Sequence, residues 1–449
     1  MHVDLLIEHA TELVTCASGG GPKRGPAMDD VGIILDGAVA VRNGQIIAVG
    51  TTAEVREQIT RADHIIDAHG HAVIPGLVDP HTHVVWAGDR VHEFEMRLKG
   101  ATYLEIFQAG GGILRTVRDT RAASLDTLVQ ETRERLNRML LHGTTTAEAK
   151  SGYGLDEETE LKMLDAIRVL DESHPIDLVP TFLGAHAIPP EYHDNVDAYV
   201  DFLINHMIPI VANLQYRVEE KDEEGNLTYT GYRPMARFFD VFCERGAYNL
   251  EQTKRLLEAA KAHGMALKVH VDEFEPSLGA VPVAVEMGAI SVDHLVSTPL
   301  EHLRVLAQSN TAAVGLPGTP FGLAETGYTK GREIIDMGGI LAIATDINPG
   351  TSWCESMPMM MAIATRYMGL TPAEALNAST INAAYAIGMD RYVGSLEVGK
   401  QGDMVILDVA DYRHLAYQYG VNLVHTVIKK GRIVVDQGRL IKEQMMAEI

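Results

Sequence analysis

Apolar positions along the chain fall into two textures. In roughly the first seventy residues they form short runs broken by turn residues, which predicts β-strands. The start, MHVDLLIEHATELVT, reads as a strand entering the fold, and Ser18 to Pro26, rich in glycine, reads as a loop. Gly37–Gly44 and Gln45–Gly50 predict a hairpin about Asn43-Gly44, since both central positions of a tight type I′ turn need positive φ. The same texture returns at Asp403–Asp408, Val424–Gly431 and Arg432–Asp436. The two β-rich ends, 1–74 and 388–449, therefore predict one small β-sandwich domain assembled from both termini.

The middle alternates. Short apolar runs stand at Gly76–Asp79, Thr144–Ala149, Asp177–Leu183, Phe239–Phe242, Ala266–Val271, Ala289–Asp293, Ala312–Leu316 and Ile340–Thr345. Amphipathic helical stretches such as Asp156–Glu172 and Leu250–His263 lie between them. Continuous apolar runs separated by helices predict parallel strands covered on both faces. Eight of them predict a (β/α)8 TIM-like barrel over residues 75–387. After the eighth run, Thr371, Pro372 and Glu374 stand at the N-cap, N1 and N3 positions of a helix. One stretch, 217–233, is acidic and then polar and aromatic. It reads as an exposed hairpin or loop, with a lid or subunit contact as the sharper alternative.

Charge narrows the partners. Acidic residues number 61 against 38 basic, a formal charge of -23. Such a surface repels nucleic acid and anionic membranes, and an anionic substrate would need a cation of its own in the pocket. No apolar run is long enough to span a bilayer. The three cysteines, Cys16, Cys243 and Cys354, form no CxxC pair, and the first dozen residues carry charges where a leader needs an apolar core. A cytoplasmic protein is the expectation.

The polar residues fall where a barrel enzyme needs them, at the C-terminal ends of the strands. The first run ends in His81-Thr82-His83, whose imidazoles at i and i+2 point the same way and can bind one cation. The fifth ends in His270, the sixth in Asp293-His294 and the eighth in Asp346. Taken singly, His270 reads equally as a core histidine and Asp346 as a turn cap; their coincidence at strand ends favours a metal site. Three imidazoles and a carboxylate suit zinc or iron(II), with a position left for water. A second ion needs a bridging carboxylate. Strand four offers Phe242-Cys243-Glu244 and no lysine to be carboxylated, so one metal per chain is expected. His9, His206, His263 and His425 lack strand-end placement and are assigned nothing.

These features resemble the amidohydrolase superfamily, and within it the branch that opens an imidazolone ring. The likeness runs from about Gly37 to Val435 through PGLVDPHTH (75–83), GDR (88–90), EFEMRLKGATY (93–103), AGGGI, TVRDTRAAS, HVDEF, DHL, LPGT, ESMP and GSLEVGKQGDMVI (394–406). EAKSGYGL (148–155), TFLGAHAIPPEY (181–192) and ATDINPGT (344–351) are its most specific stretches. It departs from the pattern in the length of 217–233, in Trp86 where a smaller or phenyl side chain is usual, and in Val271.

The resemblance implies one Zn(2+) or Fe(2+/3+) ion held by His81, His83, His270 and Asp346. It implies substrate contacts at Arg90, Tyr153, His186, Glu273, Asn348, Gly350 and Thr351, and catalytic roles for His294, Asp346, Glu273 and His186. The implied reaction, a step of histidine degradation, is hydrolysis of the ring C–N amide bond of 4-imidazolone-5-propanoate to N-formimidoyl-L-glutamate. Arg90 with Tyr153 would clamp the propionate of this small anionic substrate. Asp346 or His294 would serve as base, and His186 and Glu273 would orient the ring. A homodimer is implied as well. The alternatives are another cyclic amidohydrolase or aromatic deaminase of the superfamily, and a non-catalytic scaffold.

Overall fold

The computed structural model describes residues 1–101, 111–221 and 227–441. Eight parallel strands run in sequence order: Leu77–Asp79, Thr144–Lys150, Asp177–Ala185, Phe238–Cys243, Ala266–Val271, Ser291–His294, Ala312–Gly315 and Leu341–Ile343. They are numbered one to eight below, and each coincides with a predicted run. Every residue of strands two, six, seven and eight is buried, which is why these strands read as continuous runs without alternation. The ends of the sheet meet beyond strands one and eight. Asp346 N donates to His81 O at 3.1 Å and His83 N to Ile347 O at 3.0 Å. Below them the Asp79 carboxyl accepts from Thr345 N and Thr345 Oγ1.

The helices start where their first side chains cap them. Asp156 accepts from Thr159 N at the head of Glu157–Ser173. Asn249 with Gln252, and Thr371 with Glu374, form reciprocal capping boxes, each satisfying two backbone donors that the helix itself leaves open.

The termini build a second, nine-stranded sheet. Its organiser is the strand His2–Val14, irregular between Ile7 and Ala10. Its first half pairs with Arg61–Asp67 and its end with Ala72–Pro75, so one strand serves two layers. Leu5, Ile7, Val39, Val41, Ile46, Val73, Met404, Ile406 and Ile428 fill the space between those layers, as in a small sandwich. Asn43 and Gly44 both have positive φ (52° and 74°), the tight hairpin turn that the sequence predicts. Lys429, held within the terminal sheet by Asp403 at 2.6 Å, ties it to the barrel through Asp177 at 2.7 Å.

The stretch 217–233 lies in an antiparallel hairpin of Gln215–Lys221 and Leu227–Pro234, its turn outside the described residues. It leaves the barrel just before strand four begins, and Arg233 docks on Asp171 at 3.1 Å, close to the start of strand three. That is the N-terminal face, opposite the strand ends that carry the histidines.

Candidate active site and metal centre

Alternate residues of a strand face the same side, and four strands use that rule to line the barrel interior. The pairs are His81 and His83 just beyond strand one, Glu148 and Lys150 on strand two, Lys268 and His270 on strand five, and Ser291 and Asp293 on strand six. None of these eight is more than 3% exposed.

His81 Nε2 and His270 Nε2 each lie 3.3 Å from His83 Nε2. Asp346 Oδ1 lies 3.4 Å from His81 Nε2 and from His83 Nε2. Four atoms bound tetrahedrally at about 2.0–2.1 Å from one centre stand about 3.3–3.4 Å apart, so His83 with each of its three neighbours, and His81 with Asp346, already lie at ligand spacing. His81, His83 and His270 form the one cluster of histidine, cysteine and acidic ligand atoms close enough to hold an ion among the described residues. Burial, reinforced by nearby cationic groups, pulls His81 and His83 well below the usual imidazole range, and neutral imidazole is the ligating form. Burial pushes Asp346 up to about 6, against a hydrogen bond from Thr319.

Two carboxylates orient the imidazoles. Asp293 Oδ2 stands 2.6 Å from His81 Nδ1, and Asp240 Oδ2 stands 3.0 Å from His270 Nδ1. The hydrogen bond to Asp293 keeps the proton on His81 Nδ1 and leaves its Nε2 lone pair facing the other imidazoles.

The strand ends bend sharply to bring the polar groups together. Asp272, His294 and Asp346 have φ of 53°, 79° and 51°, a left-handed conformation that side chains adopt at a cost of about 1–3 kcal/mol. His294 Nε2 ends 3.7 Å from Glu273 Oε2. The His186 ring stacks on His83 at 4.7 Å between centroids, with Tyr153 at 5.2 Å from His186. His186 Nδ1 donates to Gly152 O at 3.0 Å, and burial drives its pKa down to about 3. Burial likewise raises Tyr153, which keeps its phenol proton as a donor.

Asn348 organises the loop after strand eight. Its Oδ1 accepts from Gly350 N and Thr351 N, and its Nδ2 donates to Thr351 Oγ1. Arg90 heads the helix Val91–Leu98, with Nε and Nη2 both 2.8 Å from Glu93 Oε2 and Nη1 against Gly350. All the residues singled out in the sequence thus collect at one end of the barrel.

Sequence reasoning overlooked the groups that support them: Lys150, Lys268, Glu148, Asp240, Glu93, Glu160 and Thr319. A usable signal was present for some. Lys268 stands two residues before His270, and Glu148 and Lys150 are two apart on one strand, so the two-residue period puts each pair on one face.

The chain matches the amidohydrolase family over residues 72–434 and an imidazolonepropionase-like composite domain of bacteria over residues 37–58. It is 53% identical to the imidazolonepropionase of Herpetosiphon aurantiacus over 96% of this chain and 97% of that one. It is 50% identical to the Chloroflexus aggregans imidazolonepropionase over 96% and 98%. Among solved structures, a zinc-bound adenosine deaminase from Xanthomonas campestris superposes with a TM-score of 0.68 at 20% identity, covering 98% of this chain and 94% of that chain. Guanine deaminase from E. coli superposes at 0.66 with 14% identity, over 96% and 99%. At such low identity these two establish the shared fold.

Proposed function

Because the chain belongs to the imidazolonepropionase family of amidohydrolases, we propose that it hydrolyses the ring C–N bond of 4-imidazolone-5-propanoate to N-formimidoyl-L-glutamate. The observation that carries the reading is the cluster of His81, His83 and His270, with Asp346 Oδ1 3.4 Å from the first two, at the barrel end where Arg90 packs against Gly350. His81, His83, His270 and Asp346 would hold one zinc or iron ion. When bound, such an ion supplies a water of lowered pKa and a polarised ring carbonyl.

The rest of the reaction falls to side chains. The guanidinium of Arg90, aimed by Glu93, and the phenol of Tyr153 receive the propionate by charge-assisted hydrogen bonds. Asn348 keeps Gly350 and Thr351 against the same arm of the substrate. Asp346 and His294 are the groups placed to take a proton from the attacking water. His186, neutral and fixed on Gly152, orients the ring. Glu273, protonated, gives its proton to the ring nitrogen as it leaves and is reprotonated from the proton taken off the water.

Residues 75–387 form the catalytic unit in this reading, with 1–74 and 388–449 as its composite partner. A reducing compartment agrees with the three unpaired cysteines, and the family resemblance favours a homodimer. Among the described residues, no helix is long and apolar enough to cross a membrane.

The metal-loaded protein, mixed with imidazolonepropionate, should abolish the substrate's ultraviolet absorbance. Inactivity with metal bound would favour a cyclic amidohydrolase or deaminase of different specificity.

A further inference from the structure

Five charged side chains fill the layer of the barrel beneath the four donor atoms: Glu148, Lys150, Asp240, Lys268 and Asp293, each fully buried. Stability does not explain them, because charges removed from water cost more than apolar groups of the same volume.

Their contacts do. Lys150 Nζ lies 2.7 Å from Asp240 Oδ2, the oxygen that faces His270 Nδ1, and 2.8 Å from Glu148 Oε2. Lys268 Nζ donates to Pro80 O at 3.0 Å, one residue before His81, and lies 3.1 Å from Glu148 Oε1. Both ammonium groups flank Asp293 Oδ2, the oxygen on His81 Nδ1, at 3.9 and 3.7 Å. The strand-two backbone joins in: Thr82, between the two histidines, accepts from Lys150 N at 3.1 Å and donates through Oγ1 to Glu148 O at 2.6 Å. Every strong contact of the two lysines ends on a group that touches a proposed ligand, or on Glu148, which spaces the lysines apart.

We propose that Lys150 and Lys268 are positioning residues for the metal centre: Lys150 fixes Asp240 and through it His270, and Lys268 fixes Pro80 and Asp293 and through them His81. Glu148 is the strut that holds both ammonium groups in register. Neither lysine touches substrate. Their effect is felt first in how tightly the imidazoles hold an ion, since displaced outer partners typically cost about 10–100-fold in metal affinity.

The test titrates the metal-free chain with Zn2+ against a chelating dye. Lys150→Met and Lys268→Met are each expected to bind Zn2+ at least tenfold more weakly than the unaltered chain. Lys150→Met/Glu148→Gln removes one cation and one anion together, which guards folding where the single change alone fails. If Lys150 acts by holding Asp240, this double variant remains at least tenfold weak. Recovery of the unaltered affinity in it, or unaltered affinity in either single variant, overturns the proposal.

The inference rests on the metal reading, and the outcomes separate the two. An unaltered chain that binds no Zn2+, or binds it regardless of His83→Ala, sinks both. Tight binding that needs His83 and ignores the lysines sinks this one alone.

Discussion

Arg90 packs against the loop after strand eight because residue 350 is glycine: a Cβ there would overlap the Arg90 Nη1 atom. The guanidinium cannot easily swing aside, because Glu93 grips its Nε and Nη2 at 2.8 Å each. Gly350→Ala should therefore displace the propionate anchor without disturbing the metal ligands. A lost charge-assisted hydrogen bond is worth about 1.5–3 kcal/mol, so kcat/KM should fall roughly 10- to 100-fold. Steady-state kinetics should place the loss mainly in KM; an unchanged KM would remove Arg90 from substrate binding.

The loop that carries Tyr153 hangs on one carboxylate. Glu160, fully buried, accepts from Gly152 N, Gly154 N and Leu155 N. Removing it leaves those donors buried and unpaired, at about 1–3 kcal/mol for each group. Glu160→Ala should lower the melting temperature and raise KM more than it lowers kcat. Glu160→Gln keeps an acceptor toward Gly154 and Leu155 and should be the milder change in both readouts.

How these residues were legible, or hidden, follows from what a linear pattern can encode. The eight strands were visible because burial on both faces makes each an apolar run. His81, His83, His270, His294 and Asp346 were visible because they end such runs. Glu148 and Lys268 lie within predicted runs and Lys150 just past one, but an apolar-run criterion gives a charge inside a run no role, whereas here the charges face inward and satisfy one another. Asp240 and Glu160 were hidden for another reason. Each acts on a partner distant in sequence, His270 or the backbone of a loop, and only the folded chain joins them. The stretch 217–233 reads as an exposed hairpin or loop; that its strands pair, and on which face of the barrel they lie, only the fold shows.

Chelation should uncover the metal centre. Without a cation, the His83 Nε2 lone pair faces His81 Nε2, His270 Nε2 and Asp346 Oδ1 at 3.3–3.4 Å. An ion that binds only the folded chain stabilises it by about 2.7 kcal/mol at a hundred times its dissociation constant. Chelator-treated protein should lose activity and melt at lower temperature, and one equivalent of Zn2+ or Fe2+ should restore both. Restoration by neither ion would remove the metal from the reading.

His174 gives a stability test far from the chemistry. It accepts from Ile176 N through Nδ1, and burial, reinforced by Arg133, holds its pKa down to about 3. The unfolded chain binds a proton near pH 6.5, whereas the folded chain does not. Acid therefore favours unfolding, and this stability is lost as pH falls below 6.5 until the folded group also titrates. Each pH unit in that window costs about 1.4 kcal/mol. His174→Asn retains an acceptor for Ile176 N and cannot titrate. Urea unfolding at pH 7 and pH 5 should show a stability difference roughly 2 kcal/mol smaller in the variant. Equal differences in the two proteins would sink the assignment.

Glu273 and His294 face each other at 3.7 Å, and their environment drives their proton affinities in opposite directions. Burial, with Asp346 and Glu244 adding like charge, holds Glu273 well above the usual carboxyl range. Burial, with His270 nearby, holds His294 well below the usual imidazole range. Burial therefore biases the pair toward a carboxylic acid beside a neutral imidazole, one donor and one acceptor. If Glu273 gives its proton to the leaving nitrogen, activity requires the protonated form and falls as pH rises through its elevated pKa. Glu273→Gln keeps an N–H donor but cannot release a proton. It should lose that alkaline limb and about 10²–10⁴-fold in turnover, the usual span for a general acid. Glu273→Ala should lose more, since the donor itself is gone. His294 must be neutral to accept a proton, so its limb lies on the acid side, below the ordinary imidazole range. His294→Ala should abolish that limb and fall by a similar factor; near-unaltered turnover would remove His294 from the chemistry and leave Asp346 as the base.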